Sequence, residues 1–186
     1  MLKEELIELV MNYEPFDGKE REMKRRVLRF LEENKDDCFV RNKLDGHMVG
    51  GGILLNKQGD EILLTHHKAL GKWLQFGGHA DGEIDLFEVG LRETVEESGI
   101  ELGKVRWEGR EIFDLDVHFI PENVKRREVA HWHYELRFLF WTAEKEYVVS
   151  EESDDLKWVK LEDLEKMWPD EGRMRMMRKL RRWRER

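Results

Sequence analysis

Residues 77–100 read GGHADGEIDLFEVGLRETVEESGI, a glycine-rich loop followed by a segment with the spacing of an amphipathic helix. Asp85 is a typical N-cap residue, Glu88 stands where it would complete a capping box, and Gly99 is a typical helix stop. We therefore predict a helix over residues 86–98. The loop before it is rich in glycine, which permits sharp turns and close approach of the backbone to a ligand.

The predicted helix carries three glutamates on one face. Glu93, Glu96 and Glu97 are spaced i, i+3 and i+4, and like charges at this spacing destabilise a helix by about 0.2–0.5 kcal/mol per pair. A divalent cation bound by these carboxylates turns the repulsion between them into a net attraction to the ion, since carboxylate oxygens suit Mg²⁺ and Mn²⁺. The alternative is a solvated acidic face in a highly charged protein. The glycine loop and Arg92, which can orient a carboxylate, favour the metal site.

The same stretch closely resembles the Nudix box, whose pattern is G-x5-E-x7-R-E-U-x-E-E-x-G-U, with U a bulky aliphatic residue. Counted back from Arg92, Gly78 takes the first position. The matching residues after Arg92 are Glu93, Glu96, Glu97, Gly99 and Ile100. Two positions depart from the pattern. Ile84 stands where the first Glu belongs, with Glu83 one residue early, and Thr94 stands at the first aliphatic position.

Three further segments are similar to a less characterised Nudix subgroup whose box starts with GGH. They are LQFGGHADG (74–82), DVHFIP (116–121) and HWHYELRF (131–138), so the resemblance covers about residues 39–165. It implies an α/β protein with a Nudix α/β/α sandwich and a mixed sheet. The implied activity is hydrolysis of a nucleoside diphosphate linked to another moiety, with Mg²⁺ or Mn²⁺ on the box helix.

Hydropathy spacing predicts the elements around the box. Helical spacing over residues 2–12 and a capped helix opening at Asp17, with Glu20 completing a capping box, predict an N-terminal helical pair. Strands are predicted as a hairpin of 48–55 with 62–65, then at 73–76, 105–119, 131–142 and near Trp158, and final helices at 161–167 and 171–184. We accordingly divide the chain into an N-terminal helical extension (1–40), the Nudix domain (41–170) and a basic C-terminal helix (171–186).

The resemblance also implies roles for individual residues. Glu93 and Glu97 match the family's metal ligands, Arg92 stands beside them, and Glu96 is either a third ligand or the base that activates water. In related enzymes a further glutamate comes from a loop near the C-terminal end of the domain. Glu152 is the candidate for that role, and an ordinary loop acid is the alternative.

Four histidines are predicted to lie beside this site. His131 and His133 alternate on one face of a strand, His79 lies in the glycine loop, and His118 lies near the end of another strand. Together with Arg137 they form the predicted substrate-binding set, and the histidines can bind phosphate or protonate a leaving group. Histidines hydrogen-bonded within strands are the alternative. No His/Cys spacing is diagnostic of a dedicated Zn²⁺ site.

Charge distribution narrows the range of partners. The net charge of −8 argues against a nucleic-acid-binding surface over the whole protein. Residues 173–186 nevertheless carry eight Lys or Arg and one acid. Their apolar stripe, formed by Met174, Met177, Leu180 and Trp183, predicts a helix docked on the domain; contact with RNA, an acidic membrane or a protein is the less favoured alternative. Residues 121–128 are also basic and form either a loop that closes over an anionic substrate or a solvated hairpin tip.

Three functions remain open on the sequence. The first is the hydrolase, acting on a small diphosphate in the cytoplasm, since the chain lacks a signal-peptide pattern and a long apolar run, and its single cysteine is Cys38. The second is a Nudix-fold isoprenyl-diphosphate isomerase, disfavoured because the family's isomerases need an active-site cysteine and Cys38 precedes the first strand. The third is a non-catalytic domain that binds nucleotide or RNA, which the intact glutamate set disfavours. A homodimer is compatible with each.

Overall fold

The structure, a computed structural model, describes residues 1–41, 45–122, 129–168 and 170–185. Its helices are α1 (Lys3–Asn12), α2 (Gly18–Glu33), α3 (Leu86–Ser98), α4 (Leu164–Met167) and α5 (Glu171–Arg184). Its strands are β1 (Gly46–Asn56), β2 (Glu61–His67), β3 (Lys72–Leu74), β4 (Phe76–His79), β5 (Val105–Arg106), β6 (Asp114–Ile120), β7 (His131–Thr142) and β8 (Ser153–Lys160). Within these described ranges, no helix is both long and apolar enough to cross a bilayer.

The eight strands form one mixed sheet, as predicted. β1 and β7 run parallel at its centre, and every other strand pair is antiparallel among the described residues. Two hydrophobic clusters cover the sheet. One joins it to α1, α2 and α3, and the other joins it to α4 and α5. β1 contributes Leu54 to the first cluster and Ile53 and Leu55 to the second, because successive strand residues face opposite sides. The chain is therefore an α/β/α sandwich with helices before and after the central domain.

Three predicted elements, α3, β7 and α5, have the predicted ends. The strand predicted over 105–119 is instead two strands, β5 and β6, which pair with different parts of β7. The strand predicted over 73–76 is likewise split, because β3 pairs with β2 and β4 pairs with β1. The predicted hairpin of β1 and β2 is antiparallel, with Leu55 opposite Ile62. Most of β2, however, pairs with β8. Residues 123–128 of the predicted basic loop lie outside the described residues.

The ends of α3 follow the capping prediction in part. Asp85 caps the helix by accepting a hydrogen bond from the Glu88 backbone N–H at 3.4 Å, and Gly99 ends it with a left-handed φ of 66°. The prediction that Glu88 completes a capping box is wrong. The Asp85 backbone N–H donates to Glu83 at 3.0 Å, whereas the Glu88 carboxylate pairs with Arg110 at 2.6 Å.

Glycines let α3 approach β1 closely. A Cβ added at Gly52 would lie 1.9 Å from the Thr94 hydroxyl, and one at Gly90 would lie 2.6 Å from the Gly51 carbonyl oxygen. Thr94 is fully buried at this contact and donates to the Gly90 carbonyl at 2.7 Å. The close approach explains why a small residue stands where the Nudix pattern has a bulky aliphatic one, and it fixes α3 rigidly on the sheet.

The basic helix α5 packs on the domain, as predicted for its apolar stripe. Met177 and Leu180 are buried, while Met174 and Trp183 are half-buried against the same cluster. Two of its basic residues, Arg175 and Lys179, form ion pairs in a charged network between α2, α5 and the sheet. We define this charged network as Glu20, Asp114, Asp116, Glu135, Arg137, Arg175 and Lys179.

Candidate metal centre

Two glutamates of α3 pack against the backbone of β4. The Gly77 N–H donates to the Glu97 carboxylate at 3.0 Å, and Glu97 is only 7% exposed. A Cβ added at Gly78 would lie 2.3 Å from the Glu93 carboxyl carbon. The two glycines therefore hold these carboxylates side by side against the strand, while Glu96, on the same helix face, is exposed.

The electrostatics of this pair favour a bound cation. Burial raises the pKa of Glu97 to about 8, although the Gly77 hydrogen bond opposes it, and the negative charges of Glu93 and Glu152 raise it further. Burial likewise raises the pKa of Glu93, opposed by Arg92 at 3.0 Å. One exposed arginine does not balance this much negative charge. The residues therefore fit a divalent cation with a preference for oxygen ligands, such as Mg²⁺ or Mn²⁺.

Glu152 lies at the same centre although 55 residues separate it from Glu97 in the chain. It ends the turn before β8, where its carbonyl oxygen accepts a hydrogen bond from the Lys68 N–H at 3.1 Å. Its charge is among the causes that raise the pKa of both Glu93 and Glu97. The fold thus places Glu152 near enough for its charge to act on the two glutamates of α3.

Five histidines gather at the neighbouring end of the sheet. We call His47, His79, His118, His131 and His133 the histidine cluster. His133 is central: its ring centroid lies 4.8 Å from that of His47, 4.9 Å from that of His131, 5.1 Å from that of His79 and 5.3 Å from that of His118. The structure therefore brings together all four histidines predicted from the sequence and adds His47.

The position of His47 depends on strand pairing that no local pattern reveals. It is the second residue of β1 and lies in register with His133 on the parallel strand β7. The same pairing places His133 beside His118 of β6. The sequence places His47 just before the apolar run of residues 48–55. Without the β1–β7 register, that position gives no indication of its neighbours.

Arg137, predicted to bind substrate, is committed to other groups. It is 3% exposed and contacts Glu135 at 2.6 Å, Asp114 at 2.9 Å and Asp116 at 3.4 Å. These carboxylates raise the pKa of Arg137 well above its ordinary value, outweighing the effect of burial. This pairing favours a structural role in the charged network over the predicted contact with substrate.

The fold agrees with comparisons to known proteins. A C. elegans Ap4A hydrolase in a binary complex superposes with a TM-score of 0.52 at 21% identity, over 73% of this chain and 96% of that one. The E. coli dihydroneopterin triphosphate pyrophosphohydrolase has a TM-score of 0.53 at 12% identity, over 70% of this chain and 92% of that one. The MutT protein from Methanosarcina mazei Go1 has a TM-score of 0.52 at 20% identity, over 75% of this chain and 95% of that one.

These likenesses establish the fold, and a comparison with curated proteins finds no match. The family model described as NUDIX domain matches residues 46–180, from the start of β1 into α5. That match spans well over half of the chain and includes α3 with its glutamates. The chain therefore belongs to the Nudix family.

Proposed function

We propose that the protein hydrolyses the diphosphate linkage of a nucleoside diphosphate derivative with a divalent cation, Mg²⁺ or Mn²⁺, held by Glu93 and Glu97. The observation that carries the proposal is the pair of carboxylates beside Gly77 and Gly78, Glu97 buried and Glu93 half-buried, whose pKa values the charge of Glu152 raises further. Burying carboxylates without a cation costs free energy, so their placement supports a site for one.

The reaction we propose is attack of water on one phosphorus of the diphosphate. The water oxygen forms the new P–O bond, the bond from that phosphorus to the bridging oxygen breaks, and the second phosphate departs with that oxygen. A bound divalent cation supplies neutralisation of the phosphate oxygens. Glu93 and Glu97 hold the cation, and Arg92 orients Glu93 through their 3.0 Å contact.

The proton of the attacking water needs an acceptor, and two glutamates were predicted for that role. Both side chains are exposed, Glu96 on α3 and Glu152 in the turn before β8, and the charge of each raises the pKa of Glu93 and Glu97. We assign Glu152 as the base, because it comes from a different element than the two proposed metal ligands, and Glu96 as an outer residue of the metal centre. Of the predicted substrate set, His118 is retained for phosphate contact, because its side chain is 38% exposed at the edge of the histidine cluster.

We expect Glu152→Gln to lower kcat by roughly 10²–10⁴-fold, the usual contribution of a general base. The substitution keeps the shape of the side chain and removes its ability to accept a proton. Initial rates under saturating substrate and metal measure the effect. The matched control is Glu151→Gln, which alters an exposed neighbour in the same turn. Equal rates for the two variants would remove Glu152 from the reaction.

The function itself is tested with a panel of diphosphate compounds: dinucleoside polyphosphates, nucleotide sugars, ADP-ribose, oxidised nucleotides and coenzymes. Release of phosphate or nucleotide is followed with Mg²⁺, with Mn²⁺ and with EDTA. We expect cleavage of one class that requires the metal and stops with EDTA. Cleavage that EDTA leaves unchanged, or none across the panel while metal still binds, would contradict the proposal.

Neither rival function gains a comparable observation. Cys38, which an isomerase would need at its centre, is fully buried in the core beneath α1 and α2, and burial raises the pKa of its thiol to about 11. RNA binding would use the basic residues of α5. Two of them, Arg175 and Lys179, instead form ion pairs inside the protein with Asp114 and Glu20. The metal-dependent hydrolase is the function these contacts support best.

A further inference from the structure

Three members of the histidine cluster present ring nitrogens to a common point. His47, His79 and His133 each offer one nitrogen, and the three nitrogens lie within 4.8 Å of one another. The three residues come from β1, β4 and β7, so the point lies where three strands meet. Imidazole nitrogen is a preferred donor for Zn²⁺ and neighbouring transition metals, whereas Mg²⁺ prefers the oxygen ligands of the glutamate centre.

His47 has no other explanation within the described structure. It is 1% exposed, and neither of its ring nitrogens has a hydrogen-bond partner among the described residues. The Nε2 atom of His79 is also buried and has no hydrogen-bond partner among the described residues. Buried polar groups without partners are costly and uncommon in folded proteins, and each calls for a ligand or another reason to be retained.

The surroundings of the three rings disfavour their charged forms. Burial, followed by neighbouring histidines and Arg41, lowers the pKa of His47 to about 4, and burial with Arg41 lowers that of His79 to about 3. Burial and the surrounding histidines lower the pKa of His133 as well. A metal binds the neutral form of imidazole, which is the form that these surroundings favour.

His131 completes the arrangement from the same strand as His133. Its Nδ1 lies 2.7 Å from the Val129 carbonyl oxygen and therefore donates to it, which leaves Nε2 as the acceptor. That Nε2 lies 3.0 Å from Nε2 of His133. A histidine whose second nitrogen donates to a backbone carbonyl is the usual form of a metal ligand, since the hydrogen bond fixes the tautomer and the ring.

We propose that the histidine cluster is a second metal site, separate from the glutamate centre, which binds a transition-metal ion such as Zn²⁺ through His47, His79 and His133, with His131 available as the fourth ligand. The ion ties β1, β4 and β7 together at the end of the sheet. His79 directly follows Gly78, and Gly78 lies against the Glu93 carboxylate. The ion therefore also fixes the segment of chain that packs against the glutamate centre. The proposal stands whether or not the diphosphate is the substrate.

Binding requires a small closure of the cluster. A tetrahedral ion with bonds of about 2.0–2.1 Å places its nitrogen ligands about 3.4 Å apart, closer than the 4.8 Å limit of the three atoms. Arg41 has to move, since its guanidinium contacts Nδ1 of His79 and its charge opposes a cation. Its side chain is 60% exposed, so solvent can receive it. Arg41→Gln should therefore tighten binding of the ion several-fold.

The test uses Co²⁺ as the probe, because a tetrahedral nitrogen site gives it intense visible bands that an octahedral oxygen site does not. We expect the metal-free full-length protein to develop these bands with one equivalent of Co²⁺, and Zn²⁺ to displace the ion and raise Tm. His47→Leu should abolish the bands. In EDTA its Tm should equal or exceed that of the wild type, because leucine removes two unpaired buried nitrogens.

Two controls locate the ion. His67→Gln removes a histidine at the end of β2, outside the cluster, and should leave the bands unchanged. Glu97→Gln should also leave them unchanged, because it alters the glutamate centre alone. Bands that survive His47→Leu, bands lost in Glu97→Gln, or no tetrahedral bands in the wild type would each overturn the proposal. If His47→Leu does not fold, His79→Asn, at the half-buried end of β4, makes the same comparison.

Discussion

Replacing Glu97 with glutamine should lower kcat by roughly 10³-fold or more while leaving the metal-free protein at least as stable as the wild type. The loss follows from removal of a metal ligand, because charge stabilisation by the metal contributes several kcal/mol and each ~1.4 kcal/mol is tenfold in rate. The glutamine oxygen can still accept the hydrogen bond from Gly77. Stability is preserved because a neutral amide replaces a buried carboxylate that faces the charges of Glu93 and Glu152.

Single-turnover rates and thermal unfolding in EDTA measure the two effects on the same preparation. Glu96→Gln is the matched comparison, since Glu96 lies one residue away on α3 but is exposed. We expect a much smaller loss of kcat from it. Wild-type rates from Glu97→Gln would contradict the metal assignment, and a lowered Tm in EDTA would mean that Glu97 serves the fold instead.

Replacing Asp114 with asparagine should lower the free energy of unfolding by about 3–5 kcal/mol, the usual cost of breaking a buried ion-pair network. Asp114 is fully buried and accepts from Arg137 at 2.9 Å, from Arg175 at 3.1 and 3.2 Å, and from Lys179 at 3.1 Å. Asparagine fills the same volume but leaves these three cations without their shared carboxylate. Urea unfolding of the variant measures the loss, and Asp36→Asn is the exposed control.

The same network makes stability depend on pH. Burial alone would raise the pKa of Asp114, but Lys179, Arg137 and Arg175 outweigh it and hold that pKa below its usual value. A depressed pKa in the folded state stabilises the protein above the unfolded value of about 3.9, and the contribution is lost as pH falls below it. The wild type should therefore lose more stability than Asp114→Asn between about pH 4 and pH 2. Parallel losses in the two proteins would contradict this role for the network.

Features that depend on residues close together in the chain could be predicted from the sequence. The ends of α3 follow from Asp85 and Gly99, and the shared face of Glu93 and Glu97 follows from helical geometry. The boundaries of β7 and α5 follow from hydropathy spacing and turn residues in the same way. The box pattern added the family, because its loop and helix occupy consecutive positions. Local periodicity carries this information whatever the rest of the chain does.

Which distant residues become neighbours depends on the tertiary structure. Strand spacing shows that His133 faces one side of β7, but the parallel register of β1 is what sets His47 beside it. Arginine is a typical phosphate ligand, which is why Arg137 was predicted to bind substrate. Its guanidinium instead forms ion pairs with carboxylates of β6 and β7. Strand register results from packing over the whole sheet, where a shift of one residue would move every side chain to the other face. No local pattern encodes that outcome, so the sequence predicted the glutamates of α3 and four of the histidines but not His47 or the ion pairs of Arg137.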